Sequence, residues 1–240
     1  MRKIIFHYHL FKNAGTSLDA AFKENFKGDE WVTREFPGNP KINHEQVRQW
    51  IVDNPQAKCF SSHTAMLPPP AIDGVEVFPV VFVRHPIDRI ASAYAFERKQ
   101  GGDSFGAVLA RNTGFKGYIE TRLALKSDRQ CRNFHVARFA PMFPGSEDDE
   151  LNNAIRAVKS LPFLGVVESF DESISLLERK LRDFGFPGLK LVPERKNVSR
   201  DSNTALDAKL ESIKNELGDE TYQLLVTENQ LDLALYTKLV

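Results

Sequence analysis

Short runs of β-branched and aromatic residues alternate along the chain with longer stretches whose apolar positions recur every three or four residues. The runs read as strands over Lys3–His9 (KIIFHYH), Ala57–His63 (AKCFSSH), Val77–Arg84 (VFPVVFVR) and Phe163–Glu168 (FLGVVE). The third is nearly continuous in Val and Phe, as expected of a strand covered on both faces. Pro79 sits early in it, where a missing donor is tolerated. The periodic stretches predict helices over Thr16–Phe26, with Leu18, Ala21, Phe22 and Phe26 on one face, and over Glu45–Val52, with Val47, Trp50 and Ile51. Further helices are expected over Ile87–Lys99, Phe105–Leu125 with a break near Asn112–Gly117, Leu151–Lys159, Ser173–Phe184, Ala205–Leu217 and Glu220–Leu239. The segments Lys126–Glu150 and Gly185–Thr204 read as polar and irregular. Alternating strands and helices predict a single α/β domain over residues 1–240, a parallel sheet flanked by helices. In such folds ligands lie beyond the carboxyl ends of the strands. Three of the runs end in suitable polar residues: HLFKNAGTS, SSH and VRHP.

Charge narrows the function. Lys plus Arg equals Asp plus Glu, 32 against 32, so nothing general draws the chain to nucleic acid or a membrane surface. An anion site must come from local arrangement. No apolar run approaches the ~20 residues of a membrane helix. The basic start and short apolar stretch of MRKIIFHYHLF read as a first strand rather than a signal peptide, which places the protein in the cytoplasm. Two cysteines, Cys59 and Cys131, are too few for a disulfide framework in a chain of this length and read as free thiols.

The turn KNAGTS, Lys12–Ser17, has the parts of a phosphate cradle. Gly15 lets the backbone turn tightly and approach a ligand. Ala14, Gly15, Thr16 and Ser17 can aim N–H groups at an anion at a helix N-terminus. Lys12 adds a mobile charge, and Thr16 and Ser17 add hydroxyls. It is not a Walker A loop, because Lys12 precedes the glycine. From the turn alone, an ordinary strand–turn–helix with Ser/Thr near the cap accounts for the residues equally well. The segment VRHPIDRIASAY changes that balance. Arg84 ends a strand, Pro86 opens a helix and Ser92 lies two turns on, a spacing at which an Arg fork and a hydroxyl can share one phosphate. Arg89 could do likewise or simply stack and pair outside.

Together these segments resemble the sulfotransferases that use 3′-phosphoadenosine 5′-phosphosulfate (PAPS), in their carbohydrate, 2-O-sulfotransferase-like branch. HLFKNAGTS looks like the 5′-phosphosulfate motif H-I-P-K-[TA]-[GA]-G-T-S, with Phe11 at the usual Pro and Asn13 at the usual Thr. VRHPIDRIASAY looks like the 3′-phosphate motif R-x-P-x-x-R-x-x-S-x-Y. FLGVVESFDESISLLERKL and LDLALY resemble later blocks of the same branch. The resemblance implies a P-loop-nucleotide-hydrolase-like sulfotransferase fold. It implies that Lys12, Asn13, Ala14, Gly15, Thr16 and Ser17 hold the 5′ phosphosulfate, and that Arg84 and Ser92 hold the 3′ phosphate. PERKNVSRDSN resembles a later donor loop, from which Asn197 is carried forward.

Sulfuryl transfer to a hydroxyl needs a base for the acceptor proton and a cation for the leaving oxygen. His63 is the expected base: SSHTAMLP looks like the family segment in which a strand-end His takes that part, and an imidazole titrates near neutrality. Lys12 is the expected cation. His7 and His9 share one face of the first strand. As an HxH pair they could bind a metal, but no third ligand is evident and packing explains them better, so no metal is expected. His9 occupies the family's usual His position. The acceptor is expected to be a sugar or glycan hydroxyl. A P-loop-type kinase, or a non-catalytic nucleotide- or glycan-binding module, remains the alternative.

Overall fold

The computed structural model describes residues 1–143, 149–192 and 205–240. In chain order these form β1 (Arg2–Tyr8), α1 (Gly15–Asn25), β2 (Trp31–Thr33), α2 (Pro40–Asp53), β3 (Cys59–Ser62), β4 (Val75–Val83), α3 (Pro86–Lys99), α4 (Phe105–Asn112), α5 (Phe115–Ala124), α6 (Phe134–Phe139), α7 (Glu150–Ser160), β5 (Gly165–Val166), α8 (Phe170–Phe184), α9 (Leu206–Leu217), α10 (Asp219–Glu228) and α11 (Gln230–Thr237). They group into two compact units. One comprises the described parts of Met1–Val83 and Arg156–Asn197, the other those of Arg84–Ile155 and Val198–Val240. No described helix is long and apolar enough to cross a membrane.

The first unit holds one five-stranded sheet in the order β2-β3-β1-β4-β5, and every strand pair is parallel. β1 is central and its side chains alternate between two covered faces. Ile5 packs with Leu18, Ala21 and Phe22 of α1 and with Ile174, Leu177 and Leu181 of α8. Phe6 faces Phe60 and Trp50 of α2 on the other side. Each fully buried Leu, Ile or Phe here contributes about 1.5–3 kcal/mol by leaving water. Phe184, expected inward, is only partly buried against that core.

Several sequence expectations change. Pro79 lies midway in β4 rather than early. β5 reaches β4 only at Phe82 and Val83, so at Pro79 that side of β4 carries no partner strand among the described residues and a missing N–H is tolerated. The expected strand Phe163–Glu168 shrinks to two residues, because the chain passes through a 3-10 turn at Val167–Ser169 into α8. β2 was not expected: three half-exposed residues give too short a pattern to read. α2 starts five residues early, where Asn39 accepts the N–H of Ile42 at 3.3 Å and Pro40 takes the first helical position.

The second unit is helical. Ile87, Ile90 and Tyr94 of α3 pack with Phe115, Tyr118 and Ile119 of α5, and with Ile213, Leu217 and Leu225. The break expected near Asn112–Gly117 separates α4 from α5. The expected irregular stretch Lys126–Glu150 contains α6, and the expected final helix is two, α10 and α11, divided at Asn229. One pair of residues explains both. Asn229 Nδ2 holds the carbonyl of Cys131 at 2.8 Å, and the Asp232 carboxylate accepts the N–H groups of His135 and Val136 at 2.9 and 2.8 Å, capping α6 from far along the chain. Cys59 and Cys131 are free and buried, and burial pushes the Cys131 thiol up to about 12.

Candidate active site at the end of the central strand

The turn after β1 is left-handed at two residues that are not glycine: Lys12 has φ 63° and Ala14 φ 61°. Such residues cost on the order of 1–3 kcal/mol each and cluster where structure serves a ligand. The sharp turn expected of Gly15 is therefore made by its neighbours. Gly15 answers a different demand. A Cβ there would lie 2.0 Å from Cδ2 and 2.3 Å from Nε2 of His9, so the imidazole occupies the space that a side chain would need. Gly15 begins α1, and the first N–H groups of a helix have no acceptor within it. The structure brings Lys12, Asn13, Ala14, Gly15, Thr16 and Ser17 together in this turn. Lys12 is half-buried, Thr16 exposed, and Asn13 and Ser17 buried. The Asn13 amide donates to the Phe11 carbonyl at 3.0 Å and so braces the turn.

Beneath the turn lies a polar cluster. Asp19, one turn into α1, receives His7 Nδ1 at 2.7 Å, His9 Nδ1 at 2.9 Å and the Ser61 hydroxyl at 2.8 Å. Burial alone would raise the Asp19 carboxyl. The charge of His7 and the hydrogen bonds from His7 and His9 outweigh it and hold Asp19 far below the usual carboxylate range. An ionised carboxylate only accepts, so both Nδ1 atoms carry their protons. Burial lowers His9 below the ordinary imidazole value, against the pull of Asp19. Asp19 is also the third residue the HxH pair lacked in the sequence: His7, His9 and Asp19 place one ligand atom each within 4.8 Å of the others. The short contacts already satisfy this group as a hydrogen-bonded hub that ties α1 to β1 and β3.

His63 follows β3 by one residue, at the carboxyl end of the strand beside β1. Its ring stands 3.9 Å, centroid to centroid, from that of His9, which itself rests on Gly15. Glu35, just beyond β2, accepts His63 Nδ1 at 2.7 Å. Its other oxygen accepts the Thr64 hydroxyl at 2.8 Å. Burial would raise Glu35, but these bonds and that from the His63 N–H lower it below the ordinary carboxylate range. Asn43 of α2 fixes the segment that follows His63: its amide donates to the Thr64 carbonyl at 2.9 Å and accepts the Met66 N–H at 3.0 Å. Sequence reasoning missed Glu35, Asp19, Ser61 and Asn43, because each acts through a partner distant in the chain.

Arg84, Ser92 and Arg89 lie in the second unit. Arg84 follows β4 directly, and its Nε and Nη2 meet Asp88 Oδ2 at 2.7 and 2.6 Å, an i, i+4 pair. Ser92 is buried on α3. Arg89 stacks inside the unit rather than pairing outside. It is fully buried, 4.1 Å over the Phe134 ring, and donates to the Gln130 carbonyl, and burial lowers it to about 10. Asn197 lies outside the described residues.

The chain is 43% identical over 247 residues to a protein of Archaeoglobus fulgidus that bears the name "Uncharacterized protein", an alignment spanning 100% of this chain and 96% of that one. The two belong to one family. No family model matches the chain.

Proposed function

We propose that the protein is a PAPS-dependent sulfotransferase with a P-loop-nucleotide-hydrolase-like fold, moving a sulfuryl group to a hydroxyl of a carbohydrate. The observation that supports this most is the end of β1. There a strained turn with Lys12 opens α1 at the carboxyl end of a central parallel strand, and the His9 and His63 rings pack against each other at a tilt beside it. The motif order, with the cradle after the first strand and Arg84 after the fourth, supports the same reading.

In this reading the Lys12–Ser17 turn holds the 5′ phosphosulfate. His63 Nε2 takes the acceptor proton. The acceptor oxygen bonds to sulfur as the bridging S–O bond breaks, its electron pair leaving on the 5′-phosphate oxygen. Lys12 stabilises that charge as it develops, and the products are a sulfate ester and the 3′,5′-bisphosphate. Arg84 and Ser92 receive the 3′ phosphate, which competes with Asp88 for the Arg84 fork. Asn197 is assigned to the donor as well. The chemistry asks for no metal.

Calorimetry with 3′-phosphoadenosine 5′-phosphate in EDTA, followed by transfer from radiolabelled PAPS to a panel of glycans, tests the proposal. Metal-independent binding and label transfer are expected. Binding that requires Mg²⁺, with phosphoryl transfer from ATP, would replace this reading with a kinase.

A further inference from the structure

His63 and Glu35 are each about half exposed, at 53% and 52% of their side-chain surface. An ion pair so placed contributes about 0–1 kcal/mol to folding, so stability gives little reason for its geometry. Yet the geometry is fixed from several directions. Glu35 Oε1 takes the His63 ring Nδ1 at 2.7 Å and the His63 backbone N–H at 3.3 Å, while Oε2 takes the Thr64 hydroxyl. Thr64 Oγ1 in turn accepts the N–H of Phe36, the residue after Glu35. The loop after β2 and the loop after β3 are thus clamped to each other through one carboxylate. From the other side the ring leans on His9 at a 32° tilt, and His9 is itself held, with Asp19 on its Nδ1 and Gly15 closely packed against its ring. His63 Nε2 has no hydrogen-bond partner among the described residues.

We infer that Glu35 is the positioning residue of His63: it holds the proton on Nδ1, so that the lone pair sits on Nε2 and faces the acceptor, with His9 as the fixed surface on which the ring rests. A carboxylate accepts and never donates, so a short contact to Nδ1 selects one tautomer of the neutral ring. An imidazole without that partner divides between two tautomers, and only one presents a base at Nε2. Glu35 never touches the acceptor and works only through His63. The inference rests on the reading of His63 as base, yet its structural half is measurable without turnover.

The test is ¹⁵N NMR of the His63 ring in the full-length chain, above the pH at which it is protonated, in wild type, Glu35→Ala and Glu35→Gln. Wild type is expected to show the Nδ1–H tautomer. Glu35→Ala should shift the ring toward Nε2–H. Glu35→Gln, whose amide oxygen still accepts, should retain Nδ1–H. In the transfer assay Glu35→Ala should lose roughly 10-fold or more in kcat with affinity for the bisphosphate unchanged, and Glu35→Gln should lie between. A wild-type ring already in the Nε2–H form, or a tautomer unmoved in Glu35→Ala, overturns the inference. If the tautomer shifts as expected while wild type transfers no sulfate to any acceptor, the clamp stands and the sulfotransferase reading fails.

Discussion

Each unit of the molecule contains a cluster of charged side chains, and the two clusters are finished differently. In the second unit Arg122 meets Glu97 at 3.0 Å and Asp128 at 2.6 Å, and Tyr118 donates to Glu97 at 2.6 Å. Gly106 lies so close that a Cβ would stand 2.2 Å from both Arg122 and Glu97. Burial alone would lower Arg122, but Tyr118, Glu97 and Asp128 outweigh it and raise its pKa. Charge here is matched by charge inside a closed wall. In the first unit the hub around Asp19 is equally well bonded at its base, but it ends in the half-exposed His63, whose Nδ1 is anchored and whose Nε2 has no hydrogen-bond partner among the described residues. A cluster that closes on itself holds the fold. A cluster that ends in a half-exposed group, beside a strained turn, is where the proposed chemistry is placed.

Breaking the closed cluster should have the largest effect. Arg122→Leu leaves Glu97 buried without its cation and should cost roughly 3–5 kcal/mol in denaturant unfolding. Glu35→Ala, measured the same way, should change stability by no more than about 1 kcal/mol. Equal losses would erase the distinction. At the open cluster, Lys12→Ala should cut turnover about 10²–10³-fold while shifting affinity for the bisphosphate far less, because the charge it meets develops only as the leaving group departs. A loss of affinity with turnover intact would make Lys12 an anchor. Arg84→Ala should weaken the bisphosphate by roughly 2–5 kcal/mol and hardly affect an analogue lacking the 3′ phosphate. The same loss for both ligands would mean that the pair with Asp88 is structural.

The smallest effect is one of pH. Asp19 has a folded pKa below its unfolded value of about 3.9. Its contribution is therefore complete above that value and is lost as pH falls toward the folded one. Burial likewise depresses His9, so its neutral form favours folding above about pH 6.5 and that advantage shrinks below it. Both groups make stability fall with acid. Urea unfolding from about pH 8 to about pH 3 should show a shallower acid slope for Asp19→Asn than for wild type. An unchanged slope would remove Asp19 as the hub.

The sequence makes the frame of the open cluster legible and hides its partners. β1, α1, β3 and β4 carry strong local patterns, and His7 and His9 fall on one strand face as their alternation requires. The cradle residues are contiguous, so their proximity follows from chain order. Glu35 is 28 residues from His63, and no periodicity links a carboxylate after one short strand to an imidazole after the next. β2, which carries Glu35 to that place, spans only Trp31–Thr33. α6 is obscured for a related reason, since its cap, Asp232, is 96 residues away from Val136. Gly15 was read as a turn former, whereas its need is steric and depends on where His9 points. What local propensity and spacing govern could be read in advance, and what long-range side-chain pairing governs could not.

The central claim is that His63, at the open end of the first unit's cluster, takes the acceptor proton in a metal-independent sulfuryl transfer. The most direct measurement is the rate of label transfer from PAPS to a glycan acceptor in EDTA, for wild type and His63→Ala side by side, with bisphosphate affinity measured on both proteins. The account predicts transfer by wild type, a fall of about 10²-fold or more for His63→Ala, and the same bisphosphate affinity for the two. Transfer by His63→Ala at the wild-type rate would contradict it.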